Sequence, residues 1–171
     1  MTPSISTNRL TLRPLTKATS RNIGWLLDRD VVRYSQQRHQ THTLSSQVRY
    51  INSFVGRSHL WGIYLADSGN HIGNLSATHD DPNNVSDVGI MIGESTFWGK
   101  GYAGEAWKAA CGWLLDKDCG NIRKLSAGCA RSNEAMLKII RGSAFKQEGE
   151  LLNHFLIDGA PTSVLLFGRM R

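Results

Sequence analysis

Residues 88–115 read VGIMIGESTFWGKGYAGEAWKAACGWLL, and this segment decides the fold. Its first part, Val88 to Ile92, is short and apolar, which predicts a buried strand. From Ala103 onward, apolar residues recur at helical spacing and predict a helix that packs one face against a sheet. A glycine-rich turn lies between the two. The segment therefore predicts a strand, a turn and a helix in that order.

The turn has the features of an anion-binding loop. Gly99, Gly101 and Gly104 carry no Cβ, so the backbone can take positive φ and approach a ligand closely. The first N–H groups of the following helix have no partner within the helix and point into the same concavity. A phosphate group would bind readily at this position.

Three phosphate-binding patterns compete for the turn. Walker A fails, because Glu105-Ala106 stands where Lys-Ser/Thr is required. The G-x-G-x-x-G of dinucleotide-binding folds matches Gly99 to Gly104, but Glu94 to Trp98 separate its first glycine from the strand and the chain is short for a doubly wound sheet. The third pattern, Gln/Arg-x-x-Gly-x-Gly/Ala, fits Trp98 to Ala103 with tryptophan in place of its first residue.

This third pattern resembles the pyrophosphate loop of the GCN5-related N-acetyltransferase (GNAT) superfamily, and the surrounding segments resemble its RimJ/RimL-like branch. The matching segments span most of the chain: Thr7-Asn-Arg-Leu-Thr-Leu-Arg-Pro-Leu15, Gly73-Asn-Leu75, Ile92-Gly93, Trp98-Gly-Lys-Gly-Tyr-Ala103 with Glu105-Ala106, Asn133-Glu-Ala135 and Phe145-Lys-Gln-Glu-Gly149. The resemblance implies a mixed α/β fold with a central, mostly antiparallel twisted sheet of about six to seven strands flanked by helices. It also implies transfer of an acetyl group from coenzyme A to a primary amine by direct attack in a ternary complex.

The resemblance further implies where acetyl-CoA, the co-substrate, would bind. Loop amides would hold the pyrophosphate, and the strand before the loop would pair with the pantetheine arm. The residues implied in coenzyme A binding are Ile90, Met91, Ile92, Trp98, Gly99, Lys100, Gly101, Tyr102, Ala103, Gly104, Asn133 and Met136. A backbone N–H near Ile90 to Ile92 would stabilise the oxyanion, and Gly89 and Gly93 would permit either a bulge or simple close packing there. Neither a metal nor a covalent enzyme intermediate is expected.

The base that deprotonates the amine is harder to assign. A primary amine with a pKa of about 10.4 is mostly protonated at neutral pH, so the site must lower that pKa or supply a base. Four residues in or beside the central strands or the Phe145 strand are candidates for the catalytic base: His79, Asp87, Glu94 and Glu148. A turn carboxylate or a surface histidine is the competing interpretation for each of them.

The helix that begins near Asn133 departs from the family pattern. Many members have Asn-x-x-Ser where this chain has Asn133-Glu-Ala-Met136, and Ile140 replaces a tyrosine that serves others as the general acid. The proton for the leaving thiolate is therefore expected from Ser143, Tyr102 or solvent.

Periodicity and turn residues predict the remaining elements. The predicted strands are Arg9–Leu15, Leu60–Ala66, His71–Thr78, Val85–Ile92, Lys124–Ala130, Phe145 together with Leu151–Ile157, and Val164–Arg169. The predicted helices start at Thr19 or Ser20, at Asp30, at Ser45 or Ser46 (ending at Gly56), at Ala103 and at Ser132 or Asn133. Gln36–Thr43 is predicted as a loop, and Asp118–Asn121 as the break after the central helix.

Composition limits the class of protein. With 171 residues, of which 40% are hydrophobic, the chain is expected to form a single globular domain over residues 1–171. The resemblance implies that this domain is a GNAT acetyltransferase domain. No apolar run approaches the roughly 20 residues that cross a bilayer, and no hydrophobic signal core follows Met1, so a cytoplasmic protein is expected. Cys111, Cys119 and Cys129 lack metal-site spacing and are expected to be buried, reduced thiols.

The net charge of +6 is unevenly distributed. Residues 1–60 contain nine Arg or Lys and two Asp, a net +7, whereas the other 111 residues contain 11 basic and 12 acidic side chains, a net −1. A basic face there would attract an anionic partner, or it could serve only as a solvated surface. The expected acceptor is therefore an amine on an anionic body, such as an acidic protein N-terminus or a nucleotide-linked amino sugar. No membrane or nucleic-acid partner is expected, and the chain could form a homodimer.

Two other functional classes stay open at this point. One is a dinucleotide-dependent redox enzyme that uses the turn from Gly99 to Gly104. The other is a non-catalytic module that binds acyl-CoA.

Overall fold

The computed structural model describes residues 2–116 and 122–171. Within them, eight strands form one sheet in the order β1-β2-β3-β4-β5-β6-β8-β7. The strands are β1 (Ile5–Ser6), β2 (Leu10–Pro14), β3 (His59–Leu65), β4 (His71–Asp80), β5 (Val85–Ile92), β6 (Lys124–Ala130), β7 (Lys146–Ile157) and β8 (Ala160–Met170). The helices are α1 (Ser20–Leu27), α2 (Arg29–Val32), α3 (Leu44–Asn52), α4 (Tyr102–Asp116) and α5 (Glu134–Arg141), with short 3₁₀ helices at Gln36–His39 and Ser95–Phe97.

The strand pairing confirms the predicted mixed α/β class. Neighbouring strands are antiparallel throughout the sheet except for β5 and β6, which are parallel and are joined through α4. A parallel pair needs such a crossover helix. The two-residue strand β1, which the sequence did not predict, brings the sheet to eight strands.

Helices cover both faces of the sheet. On one face, Trp107 of α4 is fully buried in a core that includes Trp61 of β3 and Leu75 of β4. Trp25 of α1 and Ile51 of α3 are also buried but lie outside that core cluster. Tyr50 of α3 hydrogen-bonds with Ser76 of β4, whose side chain points to the face opposite Leu75 because strand side chains alternate, so α3 packs on that face.

Four local predictions differ from the structure. Thr43, rather than Ser45 or Ser46, caps α3 in a reciprocal capping box with Ser46. The helix ends at Asn52 instead of Gly56, since the residues from Ser53 onward are no longer helical. The predicted loop Gln36–Thr43 contains a 3₁₀ turn at Gln36–His39. Strand β7 runs without a break from Lys146 to Ile157, where the prediction had separate segments at Phe145 and Leu151–Ile157, because bulges absorb its irregular register. The predicted break at Asp118–Asn121 lies outside the described residues, as does Cys119.

None of the helices in the described residues is both long and apolar enough to span a bilayer.

The two cysteines within the described ranges are expected to resist alkylation. Cys111 and Cys129 are free and buried. Burial raises the pKa of the Cys111 thiol to about 12 and that of Cys129 to about 11. Since the thiolate is the reactive form, iodoacetamide at about pH 8 should label both slowly in the native protein and rapidly in denaturant, as peptide mass mapping can measure. Rapid native labelling of Cys129 would contradict its burial.

Candidate active site

A wedge-shaped gap opens between β5 and β6. The two strands pair at only three positions, Val85↔Lys124, Ser86↔Leu125 and Asp87↔Ser126. On their outer edges, β5 pairs with β4 and β6 pairs with β8 along their full lengths. Beyond Asp87 and Ser126, no strand of the described residues pairs with the facing edges of β5 (Val88–Ile92) and β6 (Ala127–Ala130). We call this region the strand gap; its edges offer backbone N–H and C=O groups to an extended ligand.

The glycine loop, Trp98–Gly101, lies where β5 leads into α4. The indole N–H of Trp98 donates to the Ile92 carbonyl at 2.9 Å and folds the loop back onto the end of β5. Gly99 and Gly101 have φ of +73° and +83°, the left-handed region that favours glycine. A Cβ built on Gly99 would meet nothing within 4 Å, so the loop borders open space.

Both strands of the gap lead into the N-terminus of a helix. After β5, the glycine loop starts α4 at Tyr102, and after β6 a short turn starts α5. Asn133 caps α5 by accepting from the Met136 N–H at 3.2 Å, as one of the two predicted caps. Met136 packs partly buried against the core. Two helix N-termini with unpaired N–H groups therefore flank the open end of the gap, where they favour an anion.

Of the two expectations for Gly89 and Gly93, the structure favours close packing. The β4–β5 register is continuous from Val85 to Ile92, without a bulge at Gly89, and just beyond it the Gly93 N–H donates to the Ile72 carbonyl at 2.9 Å. A Cβ on Gly93 would collide with the Trp25 ring of α1. Gly93 therefore lets α1 approach the end of β5.

Among the four candidate bases, Asp87 lies at the narrow end of the strand gap. It belongs to the last β5–β6 pair, and the Ser126 hydroxyl donates to its Oδ1 at 3.0 Å. Its side chain still reaches solvent, but surrounding protein reduces its hydration and raises its pKa, an effect that the Ser126 hydrogen bond partly offsets. A carboxylate with a raised pKa at this position can accept a proton.

The structure does not bring His79 or Glu94 to this point. The buried His79 hydrogen-bonds through Nδ1 to the Ser86 hydroxyl at 2.8 Å, in the region where β5 and β6 are still paired. Glu94 forms an ion pair with Arg21 of α1 at 3.2 Å, beyond the far end of β5.

Glu148 of β7 forms an ion pair with Lys124 at 2.6 Å. Lys124 lies two residues before Ser126 and so on the same face of β6. Glu148 therefore lies on the face that carries Asp87, but its charge is already neutralised.

The segment after α1 contacts the elements that follow the gap. The Tyr34 hydroxyl donates to the Ser132 carbonyl at 3.1 Å just after β6. Arg33 pairs with Asp158 at 2.7 Å in the β7–β8 turn. These contacts hold the α2 region against the end of β6 and against the β7–β8 turn.

The arginines of the first third of the chain are less free than the sequence predicts. Arg21, Arg33 and Arg57 each form an ion pair, with Glu94, Asp158 and Asp81 respectively. Much of the +7 excess is therefore neutralised locally.

Of the groups proposed to reprotonate the thiolate, Ser143 is committed to the core. Its buried hydroxyl accepts from the Trp107 indole at 2.9 Å and lies 2.8 Å from the Ile140 carbonyl, to which it can donate. Tyr102 lies beside the glycine loop under the guanidinium of Arg9. Tyr102 or solvent is therefore better placed than Ser143.

Sequence reasoning missed one set of residues around the loop. Thr7 and Arg9 both hydrogen-bond to the carboxylate of Glu105 in α4. Thr7 and Arg9 lie in one segment that carries the GNAT resemblance and Glu105 lies in another, but nothing in the sequence predicts that the two segments are in contact. Ser126, the partner of Asp87, was missed for the same reason.

Comparison with known proteins identifies the family. The profile of the Acetyltransferase (GNAT) domain matches residues 9–146. A search of curated proteins found no significant match.

Solved structures share the fold at low sequence identity. Spermidine N-acetyltransferase from Vibrio cholerae, solved with CoA and spermine, is 19% identical, with a TM-score of 0.82 over 96% of each chain. RimL, a ribosomal-protein alpha-N-acetyltransferase solved with coenzyme A, is 16% identical, with a TM-score of 0.78 over 98% of each chain. The microcin self-immunity acetyltransferase MccE, solved with acetyl-CoA and AMP, is 17% identical, with a TM-score of 0.77 over 96% of this chain and 94% of the other.

The mostly antiparallel sheet also differs from the parallel sheet of dinucleotide-binding folds, which weakens the redox alternative. No cluster of three or more His, Cys, Asp or Glu that could hold a metal occurs among the residues described. The family profile covers most of the chain, and the chain therefore belongs to the GNAT family of acetyltransferases, enzymes that take their acetyl group from acetyl-CoA.

Proposed function

We propose that the chain, as one domain over residues 1–171, acetylates a primary amine with acetyl-CoA by direct attack in a ternary complex, and that it belongs to the RimJ/RimL-like branch. The observation that carries this proposal is the strand gap beside the glycine loop, because a slot with unpaired backbone groups and an anion cradle at its open end suit a long phosphorylated thioester. A cytoplasmic location stays a prediction from the sequence.

The glycine loop would hold the pyrophosphate of acetyl-CoA. Positive φ at Gly99 and Gly101 lets the backbone approach the ligand without a side chain in between, and the first N–H groups of α4 lie next to it. The residues from Trp98 to Gly104, with Asn133 and Met136 at the start of α5, would form this part of the site.

The strand gap would hold the pantetheine arm and the thioester. Amide groups of pantetheine can pair with the free edge of β5 at Ile90, Met91 and Ile92, as an added strand would. A backbone N–H of the same edge would donate to the oxyanion that develops when the amine attacks.

Asp87 would accept the amine proton. It lies where the gap narrows, and its raised pKa brings it nearer to the operating pH than an ordinary aspartate. His79 and Glu94 are weaker candidates, because each is held by another side chain away from the narrow end. Glu148 lies on the same face as Asp87 but is already paired with Lys124.

The acceptor would be an amine carried on an anionic body. The support is the basic excess of residues 1–60, including the exposed Lys17 and the exposed Arg29 at the start of α2. Positive charges repel polycationic amines and steer anionic ones. Neighbours of the same fold differ on this point, since one was solved with spermine and another with AMP.

An acceptor panel tests the proposal. Release of free CoA would be followed with acetyl-CoA and, in turn, an acidic N-terminal peptide, a nucleotide-linked amino sugar, spermidine and an aminoglycoside. We expect amine-dependent release that is fastest with one of the anionic acceptors. Fastest release with spermidine or the aminoglycoside would reject the anionic acceptor but keep the transferase. Acetyl-CoA binding without release with any amine would favour a non-catalytic module.

Salt and charge reversal give a second, independent prediction. Added salt should lower kcat/KM for an anionic acceptor, because exposed charges are screened beyond about 8 to 10 Å at physiological ionic strength. Arg29→Glu should lower the same constant several-fold at low salt and leave the Kd for CoA within about twofold. Arg33→Glu is a poorer probe, since it would place a carboxylate against Asp158. Identical rates for Arg29→Glu and wild type would mean that the basic region is only a solvated surface.

A further inference from the structure

The first turn of α4 carries a carboxylate beside the glycine loop. Glu105 lies four residues after Gly101, and its N–H donates to the Gly101 carbonyl at 3.1 Å. A negative charge so close to a pyrophosphate would weaken binding if it stood alone. The contacts of Glu105 explain how a carboxylate is tolerated next to an anion-binding loop.

Three donors from the segment between β1 and β2 hold the Glu105 carboxylate. Its Oε1 accepts from the Thr7 hydroxyl at 2.7 Å and from the Arg9 backbone N–H at 3.0 Å. Its Oε2 accepts from Arg9 Nε at 2.7 Å. Burial alone would raise the pKa of Glu105, but these hydrogen bonds and the Arg9 charge outweigh it and lower the pKa below its usual range. The carboxylate is therefore charged and fully engaged.

The same arginine contacts the glycine loop. Arg9 Nη1 donates to the Lys100 carbonyl at 3.0 Å, and the guanidinium stacks over the Tyr102 ring at 4.6 Å. A Cβ on Gly101 would lie 3.4 Å from Arg9 Nη2. Arg9 thus borders three consecutive residues of the chain, Lys100, Gly101 and Tyr102.

This contact fixes the direction of one amide. In a trans peptide, the C=O of one residue and the N–H of the next point in opposite directions. Because Arg9 holds the Lys100 carbonyl toward itself, the Gly101 N–H points to the other side of the loop.

We propose that Thr7, Arg9 and Glu105 form a clamp that orients the Lys100–Gly101 peptide so that the Gly101 N–H donates to the pyrophosphate of acetyl-CoA. Arg9 and Glu105 are positioning residues in this account, which rests on the proposed role of the glycine loop. The clamp joins parts of the chain that are 96 residues apart in sequence and ties the loop to the edge of the sheet.

The alternative is that Arg9 binds phosphate directly. The two roles predict opposite changes in acetyl-CoA affinity for the Glu105→Gln variant. If Arg9 binds phosphate itself, Glu105→Gln frees its charge and tightens acetyl-CoA binding. If Arg9 acts through the clamp, Glu105→Gln weakens binding, because the glutamine amide nitrogen cannot accept from Arg9 Nε while its oxygen accepts from Thr7.

The experiment compares two acyl donors across matched variants. Kd and kcat/KM would be measured for acetyl-CoA and for S-acetyl-pantetheine, which lacks the pyrophosphate, with wild type, Arg9→Ala, Arg9→Lys and Glu105→Gln. Arg13→Ala is the control. Arg13 is an arginine of the neighbouring strand β2, but its guanidinium stacks over the Tyr64 ring at 4.9 Å instead of contacting the glycine loop. Thermal unfolding and circular dichroism check that each variant is folded.

We expect Arg9→Ala to raise the Kd for acetyl-CoA about tenfold, the usual size for losing a charge-assisted hydrogen bond. Arg9→Lys should lose nearly as much, because one ammonium cannot bridge Glu105 and the Lys100 carbonyl together. Glu105→Gln should change Kd in the same direction. Constants for S-acetyl-pantetheine, kcat at saturating acetyl-CoA, and all constants of Arg13→Ala should stay within about twofold.

Each other result overturns the inference in a recognisable way. Tighter acetyl-CoA binding by Glu105→Gln would make Arg9 a direct phosphate ligand. Equal losses with both donors would mean that the clamp only supports the fold. Unchanged constants in all three variants would make it an ordinary surface ion pair. If wild type itself binds both donors equally, the pyrophosphate role of the loop fails, and the clamp proposal fails with it.

Discussion

Replacing Gly101 by valine is expected to weaken CoA binding about a hundredfold while the protein stays folded. Gly101 has φ of +83°, where an L residue costs about 1–2 kcal/mol and a β-branched one is further restricted. If the loop relaxes to avoid that strain, at least one amide–phosphate hydrogen bond is lost, which costs about 1.5–3 kcal/mol. A loss near the upper end of that range corresponds to about two powers of ten in Kd, measured by calorimetric titration with CoA.

Gly56→Val is the matched control for this substitution. Gly56 also has positive φ, at +62°, and a Cβ there would meet nothing within 4 Å, but it follows α3, away from the glycine loop. The two variants should lose similar stability, and only Gly101→Val should lose affinity. A folded Gly101→Val protein with an unchanged Kd would remove the loop from the CoA site.

Asp87→Asn is expected to lower kcat about a hundredfold or more, the usual contribution of a positioned base. Asparagine keeps an acceptor for the Ser126 hydroxyl but cannot take a proton. The KM for acetyl-CoA should change little, because the loop is untouched. Glu148→Gln is the comparison, and its effect on kcat should be much smaller, since Glu148 is already paired with Lys124.

The pH dependence follows from the raised pKa of Asp87. As the base, Asp87 must be ionised, so wild-type kcat/KM should fall as the pH drops through its pKa, which lies above the ordinary aspartate value. In Asp87→Asn this fall of kcat/KM at low pH should be absent.

The same raised pKa affects stability. Because the pKa of Asp87 is higher in the folded than in the unfolded state, the protonated carboxyl group stabilises the fold below the unfolded pKa, and this contribution is lost as the pH rises through the folded pKa. At neutral pH, Asp87→Asn should therefore be at least as stable as wild type in thermal unfolding. A fully active Asp87→Asn enzyme would exclude Asp87 as the base.

Local sequence predicted the elements of the site well. The bounds of β5 and β6 match the predictions, because turn residues on both sides of a short strand leave little choice of where it begins and ends. Helix α4 begins one residue before its predicted start, where the apolar periodicity and the glycine loop meet.

Contacts between distant segments were beyond the sequence. The strand gap depends on β5 and β6 diverging after Asp87, which follows from how each is held by its outer neighbour and not from its own residues. The clamp at Glu105 and the pairing of Arg33 with Asp158 join residues about a hundred positions apart. Charge counting therefore overestimated the free basic surface.

Helix caps show the same limit at short range. Thr43, Ser45 and Ser46 are all acceptable capping residues, and only the reciprocal bond between Thr43 and Ser46 decides among them.

Calorimetric titration of the wild-type protein with acetyl-CoA and, separately, with NADH distinguishes the two interpretations of the glycine loop, because each ligand represents one of them. The gap and loop predict saturable binding of acetyl-CoA, about a hundredfold weaker binding in Gly101→Val, and no saturable heat with NADH. Saturable binding of NADH without binding of acetyl-CoA would contradict the account.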